Sequence, residues 1–475
     1  MDKERRKKLQ TTKLVITEIF MLVIIVLTVV ILTFVVMGYR LTEDGKLEQS
    51  GLIQVDSIPT GAKVTIGEET LSSETNTSKV LPEGEYEVKL KKDGYTSWHK
   101  TVRVHSGFLT KLSYPRLYKT ERKTETMQKL SSAPLIYSVS PSRESILLAE
   151  SGSSKFQLLN ISSEAIKTND IDLSKLLLSK GELPTNPKVI SWSEDANRLI
   201  LSYDHTDGTH LAIVDLERPE SSFDLTSYFG LKISTLRFRD RRGDKLFILE
   251  NGNLRTASFA DKQLSNVLIS NILSFSNSGP KIALVRQLQD GGKEFAIINE
   301  DATSDISLSK TTATYAEIIL SEYIGRPTLV LAEDTKIKIY RGELPTEDIS
   351  VQNPLPKPIG EIDLAFGEPS VLEMRAKEQI LLASKNTDFI IFDLENYTPS
   401  SFSLSSALTF WPDEYTIGLI SDGYLTVRDF DGTNVETLSK AEPGYDAVIT
   451  KDNKYLYFVQ KDSEDNLTIV RENIK

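Results

Sequence analysis

Cysteine is absent from this sequence of 475 residues. Without cysteine the chain can form no disulfide bond, thiolate zinc site, iron–sulfur cluster or cysteine nucleophile. The absence does not identify the compartment, because a large domain can fold outside the cell without disulfides. Hydrophobic residues make up 39% of the chain and charged residues 26%, so a core of ordinary size is available.

The sequence also lacks the short motifs that mark common catalytic and cofactor sites. It has no G-x-S-x-G nucleophile elbow, no S-x-D-x-G-x-T-W box, no G-x-x-x-x-G-K-[ST] phosphate loop and no dinucleotide fingerprint. Carboxylates are frequent, but nothing singles out one pair for acid–base work. The sequence therefore predicts no catalytic, cofactor-binding or metal-binding residue, and no cofactor.

Charge is distributed unevenly along the chain. The net charge is −11, yet residues 1–13 hold six Lys/Arg against two acidic residues and carry +4, which leaves −15 on the remainder. An acidic body repels a phosphate backbone, so we expect no nucleic acid partner.

The basic tip directly precedes a long apolar run. The nineteen residues 19–37 carry no charge and only two threonines, enough to cross a bilayer as a helix. We predict a cytoplasmic tip at 1–13 and a transmembrane helix at 14–38, which contacts the lipid bilayer. The positive-inside bias then places residues 39–475 outside the cytoplasm. A cleaved signal is disfavoured because residues 36–39 (VMGY) offer no A-x-A pattern, and a buried core helix because no polar face interrupts the run.

Alternating patterns begin after a polar segment, residues 39–50, that we interpret as a spacer. Apolar residues then recur two positions apart, which is the period of half-buried strands. The clearest are Ile53 and Val55, Val64 and Ile66, and Tyr86, Val88 and Leu90. Proline and glycine mark tight turns between them at 59–61, 82–84 and 93–94. The pattern predicts a small β-sandwich at 51–118.

This segment resembles the PEGA domain family. The resemblance rests on four blocks in order: residues 51–64 (GLIQVDSIPTGAKV), 81–86 (LPEGEY), 92–95 (KDGY), and Val102, Val104 and Gly107. Two positions depart from the family pattern, with Thr60 in place of a glutamate and 76–78 (NTS) where a Thr-Pro pair is usual. The resemblance implies a surface-exposed β module whose ligand is generally unknown.

Residues 119–475 repeat a strand–turn–strand unit eight times. The pairs are 146–149 with 156–160, 198–203 with 210–215, 245–249 with 254–259, 282–286 with 295–299, 328–332 with 336–340, 379–383 with 389–393, 417–420 with 424–430, and 455–460 with 467–471. Turns such as Asn251-Gly252 and Asp422-Gly423 are strong hairpin signals. A short strand ending in a serine-rich turn precedes many pairs, as at 140–142, 191–193 and 274–276.

A unit of about 40–50 residues that contains four strands has the size and strand number of a propeller blade. The unit resembles TolB-like and WD40-like propellers, most closely at 140–142 (SPS) and 450–456 (TKDNKYL). We therefore predict an eight-bladed β-propeller at 119–475. The last unit has only three predicted strands. We therefore expect Thr124–Leu130 to supply its fourth strand by pairing with Leu467–Arg471, which would close the ring. The alternative is seven blades and an independent hairpin.

Four groups of residues could suggest a metal-binding or recognition site, and for each of them a structural or chance explanation is favoured. His99 and His105 lie on the strands of the sandwich. Asp204–His210 (DHTDGTH) is dense in metal-ligand types but also in turn residues. Asp429–Gly432 (DFDG) lacks the ladder and terminal glutamate of an EF-hand. Arg242–Asp244 spells an integrin-type tripeptide in a charged turn. We assign no site to any of them.

The fold class predicted is thus an all-β ectodomain, a sandwich plus a propeller, on one N-terminal transmembrane helix. Propellers bind partners at the loops around their channel, so we expect a membrane-anchored, extracytoplasmic binding or scaffold protein of the cell envelope. Its partner would be an envelope protein or glycan, and we expect no enzyme activity. The alternative is a glycan-acting enzyme, which a cluster of Asp, Glu, Arg and Tyr at one channel mouth would favour. An inward-signalling sensor is disfavoured, since thirteen cytoplasmic residues hold no domain.

Overall fold

The structure, a computed structural model, describes residues 2–36, 38–41, 47–349, 355–406 and 408–475. It divides into two units, Met1–Thr120 and Glu121–Lys475.

The first unit begins with one long helix, α1 (Asp2–Val36). Its segment Lys13–Val35 is long and apolar enough to cross a membrane, and none of it is buried in protein. The hydroxyls of Thr28 and Thr33 donate to the carbonyls of Ile24 and Val29 at 2.8 Å, so these polar groups are satisfied within the helix. The apolar segment is therefore confirmed as a helix, and the core-helix alternative is wrong. The predicted tip at 1–13 is not a separate segment, because the helix already begins at Asp2.

Eight strands follow the helix in the first unit. They are β1 (Tyr39–Leu41), β2 (Leu47–Val55), β3 (Lys63–Ile66), β4 (Glu69–Glu74), β5 (Thr77–Pro82), β6 (Gly84–Lys91), β7 (Trp98–Val104) and β8 (Leu109–Leu112). One sheet has the order β1-β2-β5, with β8 parallel to β2, and the other has the order β4-β3-β6-β7.

The alternation predicted for the sandwich is present. The apolar residues of β2, β3 and β6 that were predicted to face inward are buried, except Tyr86, which is half-buried. The spacer interpretation of 39–50 is wrong for most of that segment. Tyr39–Leu41 pairs with Leu47–Gln49 as an antiparallel ladder, and β2 continues into the sandwich. Residues 42–46 of the predicted spacer lie outside the described residues.

The second unit contains eight four-stranded sheets within the described residues. Sheets 1 to 4 are β10 (Pro134–Val139), β11 (Ser145–Glu150), β12 (Lys155–Asn160) and β13 (Lys167–Asp172); β14 (Thr185–Trp192), β15 (Arg198–His205), β16 (Gly208–Asp215) and β17 (Phe223–Asp224); β18 (Ile233–Phe238), β19 (Lys245–Glu250), β20 (Asn253–Ser258) and β21 (Gln263–Leu264); and β22 (Ile272–Ser278), β23 (Lys281–Gln287), β24 (Lys293–Asn299) and β25 (Asp305–Thr311).

Sheets 5 to 8 continue the same order. They are β26 (Ala316–Tyr323), β27 (Arg326–Glu333), β28 (Lys336–Arg341) and β29 (Gly360–Asp363); β30 (Val371–Arg375), β31 (Ile380–Lys385), β32 (Asp388–Asp393) and β33 (Thr398–Ser403); β34 (Thr409–Phe410), β35 (Thr416–Ser421), β36 (Tyr424–Asp429) and β37 (Glu436–Lys440); and β38 (Val448–Ile449), β39 (Tyr455–Lys461), β40 (Leu467–Asn473) and β9 (Thr124–Lys129). Short helices follow β13 (α2, Ser174–Leu177) and β17 (α3, Leu225–Phe229), and a 3₁₀ turn covers Pro219–Ser221.

Consecutive sheets pack face to face around a ring. From sheet 1 to sheet 6, each sheet shares a buried apolar cluster with the next. Members from the two sheets are, in turn, Phe156 and Leu201, Ile213 and Ile248, Phe247 and Leu284, Ile297 and Leu331, and Ile339 and Leu381. The Tyr415 hydroxyl of sheet 7 donates to Gln379 Oε1 of sheet 6 at 2.9 Å, and the Ile449 N–H of sheet 8 donates to the Pro412 carbonyl of sheet 7 at 2.8 Å.

Sheet 8 also packs on sheet 1, which closes the ring. Leu148 of sheet 1 and Val459 of sheet 8 belong to one buried cluster. The predicted closing ladder is present, because β9 pairs antiparallel with β40, from Thr468 opposite Lys129 to Glu472 opposite Thr124. A closed ring of four-stranded sheets is the β-propeller arrangement, so the all-β fold class is confirmed.

One turn recurs between the first and second strands of several sheets. The backbone N–H groups of Ser140, Ser193 and Thr450 each donate a hydrogen bond to the carbonyl of the residue five positions later, at 2.7–2.9 Å. The residue three positions on has positive φ in each case, at Arg143, Ala196 and Asn453. The serine turn predicted at 274–276 is wrong, since those residues lie inside β22 and Phe275 is buried.

Candidate functional site: the channel of the second unit

The first strands of the sheets enclose a cavity of about 710 Å³. Its walls come from β10 of sheet 1, β14 of sheet 2, β30 of sheet 6, β34 of sheet 7 and the loop before β38 of sheet 8. Sheets 1 and 6 are not neighbours in the ring, so the cavity lies in the central channel. We call it the channel cavity.

One wall of the channel cavity carries a tyrosine and an aspartate with altered acidity. Tyr137, on β10, makes an edge-to-face contact with Tyr445, with ring centroids 5.5 Å apart. Within the described residues its buried hydroxyl has no hydrogen-bond partner. Burial, and then the nearby Asp446, raise the pKa of Tyr137 far above its ordinary value. Enclosure by protein also raises the pKa of Asp446, although Arg375 opposes that shift. The tyrosine is thus a neutral hydrogen-bond donor beside an aspartate that resists ionisation.

Cationic and aromatic groups form another part of the wall. The Arg375 guanidinium lies 5.4 Å from the centroid of the Trp411 ring, within the range of a cation–π contact, and its Nε donates to Glu373 Oε1 at 2.7 Å. The lining holds three cationic and three acidic side chains: Arg143, Lys188, Arg375, Asp413, Glu414 and Asp446. Because cationic and acidic side chains are mixed in the lining, the cavity suits a polar ligand of low net charge better than a polyanion.

Other first strands bring further ionisable groups together. Arg237 on β18 and Glu317 on β26 belong to sheets 3 and 5, which are not neighbours. Burial lowers the pKa of Arg237 and raises the pKa of Glu317, and each group opposes the other's shift through its charge. The polar lining therefore extends to strands beyond those of the channel cavity.

The histidine-containing hairpin is a structural network. His210 is buried, with Nδ1 at 2.7 Å from Asp224 Oδ2 and Nε2 at 3.0 Å from Asp207 Oδ1. The Tyr203 ring is parallel to the His210 ring at 5.8 Å. Lys180 and His210 hold the pKa of Asp207 well below its usual range. Within the described residues no group of three or more His, Cys, Asp or Glu side chains could hold a metal ion.

The remaining sequence candidates occupy turns or exposed surface. Asp244 accepts a hydrogen bond from Arg198 Nη1 at 2.6 Å, so the 242–244 tripeptide is engaged in a structural ion pair. Asp431 Oδ1 accepts from the backbone N–H of Thr433 at 3.1 Å, as an aspartate does in a turn. His99 and His105 are exposed.

Sequence reasoning missed every residue of the channel cavity. Tyr137 and Asp446 are separated by 309 positions and meet only because sheet 8 closes onto sheet 1. The available signal was modest: several first strands precede a recurring turn, and such strands line a propeller channel. Trp411, one of three tryptophans in the chain, could have been noticed on that basis.

Comparison with protein families identifies the β module that follows the helix. Residues 50–117 match the PEGA domain. The match agrees with the predicted bounds of 51–118, so the resemblance seen in the turn residues is confirmed. This PEGA domain accounts for β3 to β8 and most of β2, and its family description names no ligand.

Solved structures similar to the chain include several β-propellers. Oligogalacturonate lyase from Vibrio parahaemolyticus is 12% identical, with a TM-score of 0.38, over 74% of this chain and 98% of that chain. A eukaryotic initiation factor is 14% identical, with a TM-score of 0.42, over 72% and 87%. The β-propeller domain of Myceliophteria thermophila Cps50 is 8% identical, with a TM-score of 0.38, over 73% and 99%. No curated protein sequence matches the chain.

Proposed function

We propose that this chain is a membrane-anchored, extracytoplasmic binding protein of the cell envelope, whose channel cavity binds a neutral, hydroxyl-rich ligand such as an envelope glycan. The observation that carries the proposal is the channel cavity itself, with its mixed charges, its tryptophan and a buried tyrosine hydroxyl that has no hydrogen-bond partner among the described residues.

The first unit supports the anchor. Lys13–Val35 is an exposed apolar helix whose described threonine hydroxyls are satisfied internally, as a lipid environment requires. The basic residues lie before this helix, and the bias of cationic residues to the cytoplasmic side supports an outward-facing body.

The chemistry of the channel cavity supports the proposed ligand class. A volume of about 710 Å³ lies within the usual range for pockets that hold small ligands. The Trp411 ring provides an apolar face, while Tyr137, Arg375 and Asp446 provide convergent donors and acceptors. A sugar presents both an apolar ring face and many hydroxyls, so it can use both kinds of group.

The test is binding of soluble glycan fragments from the protein's own envelope to the purified chain, followed by calorimetry. We expect Trp411→Ala and Asp446→Ala each to weaken binding about tenfold or more, because one lost contact to a charged or stacked group is worth about 1.5–3 kcal/mol. Val435→Ser, at an exposed position outside the cavity lining, is the matched control. Equal binding by Trp411→Ala and the unmodified chain would contradict the proposal.

A second candidate function is a glycan-acting enzyme, because Asp, Glu, Arg and Tyr do cluster along one stretch of the channel. Incubation of the same fragments with the chain distinguishes the two functions. A binding protein leaves the fragments intact, whereas an enzyme releases shorter products at a rate that Asp446→Asn or Glu414→Gln reduces.

A further inference from the structure

We infer that the PEGA domain carries a second membrane contact: an apolar patch formed by Leu52, Phe108 and Leu109 that lies in the bilayer interface beside the anchor helix. The inference rests on the proposed membrane anchor. We call these three residues the interface patch.

The interface patch is exposed. Phe108 is 64% exposed, Leu109 45% and Leu52 37%. Leu52 pairs with Leu109 across the parallel β2–β8 ladder, and Val80 of β5 lies opposite Leu52 on the other side. Paired residues present their side chains on the same face of a sheet, so an apolar row crosses three strands. The Leu52 N–H also donates to the Phe108 carbonyl at 3.0 Å, which fixes the loop that carries the phenylalanine.

Backbone hydrogen bonds connect this loop to the end of the anchor helix. The Gly38 N–H donates to the Val35 carbonyl at 3.1 Å, and the Ser50 N–H donates to the Gly38 carbonyl at 2.9 Å. The Gly107 N–H then donates to the Ser50 carbonyl at 3.0 Å. Gly38 has φ of +81°, and a Cβ there would lie 2.8 Å from the Ser50 carbonyl oxygen, so glycine permits the close approach.

These contacts place the interface patch near the level where the helix leaves the bilayer. Hydrogen-bonded segments lie about 5 Å apart, so two such steps bring Gly107 within about 10 Å of the helix end. The headgroup layer on each side of the hydrocarbon is about 5–8 Å thick, so a side chain at this position reaches it.

The size of the interface patch favours lipid over a protein partner. A stable protein interface buries about 800 Å² on each side, which three side chains cannot supply. A membrane contact needs much less area, because the anchor helix already holds the domain at the surface and makes the second contact intramolecular.

The test uses the absence of cysteine in the native chain, which allows a single probe to be attached at a chosen position. The full chain is reconstituted in phosphatidylcholine vesicles with an environment-sensitive fluorophore on Phe108→Cys, Asp93→Cys or Leu27→Cys. Quenching by nitroxide lipids then reports contact with the bilayer. Asp93 is the matched control, since it is exposed in the turn at the opposite end of β6 from Gly84, about 30 Å away. Gly84 pairs with Val104 next to the patch loop.

We expect strong quenching at positions 27 and 108 and at most a third of that quenching at position 93. Quenching at 27 without quenching at 108 would overturn the interface patch and leave the anchor intact. Equal quenching at 108 and 93 would overturn a specific patch. No quenching at 27 would overturn the anchor and, with it, this inference. A Leu109→Cys probe, which retains Phe108, should reproduce the result at position 108.

Discussion

Replacing Arg122 with alanine should destabilise the second unit, although Arg122 lies before its first strand. Arg122 Nε is 2.6 Å from Glu472 Oε1, and the Glu472 side chain is completely buried. The Ser439 hydroxyl of sheet 7 donates to the other oxygen of the same carboxylate. Residues at the two ends of the unit are therefore joined by one buried ion pair at the point where β9 closes the ring.

The magnitude follows from the burial of the two partners. Removing one partner of a buried ion pair costs about 3–5 kcal/mol, because the other charge is left buried without compensation. The Arg122 side chain is 16% exposed, which places the expected loss near the lower end, at about 3 kcal/mol. The double variant Arg122→Ala/Glu472→Gln should recover part of this loss, since it removes the uncompensated charge.

Urea unfolding followed by tryptophan fluorescence measures the effect, as two of the three tryptophans, Trp192 and Trp411, lie in the second unit. With a slope near 3 kcal/mol/M, the midpoint should fall by about 1 M for Arg122→Ala. The control is Lys123→Ala at the next, exposed position. If Arg122→Ala and Lys123→Ala unfold at the same midpoint, the ion pair does not hold the ring closed.

Three further predictions concern acid stability, metal dependence and the closing strand. Lys129 lowers the pKa of Asp462 to about 2, below its ordinary 3.8, so this aspartate stabilises the fold above about pH 4 and loses that contribution as pH falls towards 2. Asp462→Asn should therefore show a shallower loss of stability between pH 4 and 2, and an unchanged slope would contradict the pairing. Thermal melts with and without chelator should coincide, and a drop of more than a few degrees would reveal a metal site. A chain lacking residues 1–130 should be much less stable than one lacking 1–118, because it lacks β9, and equal stability would favour an independent C-terminal hairpin.

The strands that sequence reasoning found are those with clear alternation and explicit turn residues. The eight predicted hairpins correspond to the second and third strands of the eight sheets, where β-branched and aromatic residues recur and turns such as Asn251-Gly252 permit positive φ. The closing strand β9 was found by a different route, since its own alternation is weak and only the count of strands in the last unit required a partner for β40.

The failures have physical causes. Tyr39–Leu41 and Leu47–Gln49 form a ladder at a sheet edge, where side chains need not alternate in polarity because both faces can meet solvent. Ser274 and Ser276 have the composition of a turn, yet they flank the buried Phe275 inside β22. The Ser276 hydroxyl is also buried and donates to the Leu320 carbonyl of the next sheet at 3.3 Å, so a serine can serve within a strand. The channel cavity depends on ring closure over hundreds of residues, which no local pattern encodes.

The most direct test of the account is the orientation of the body relative to the membrane. Protease added to intact, wall-stripped cells should digest residues 39–475 and leave a small N-terminal fragment that contains Lys13–Val35. The same digestion after the membrane is permeabilised is the control for access. Protection of the whole body in intact cells would contradict the outward orientation, and a mature N-terminus beyond Tyr39 would show that the helix is a cleaved signal and not an anchor.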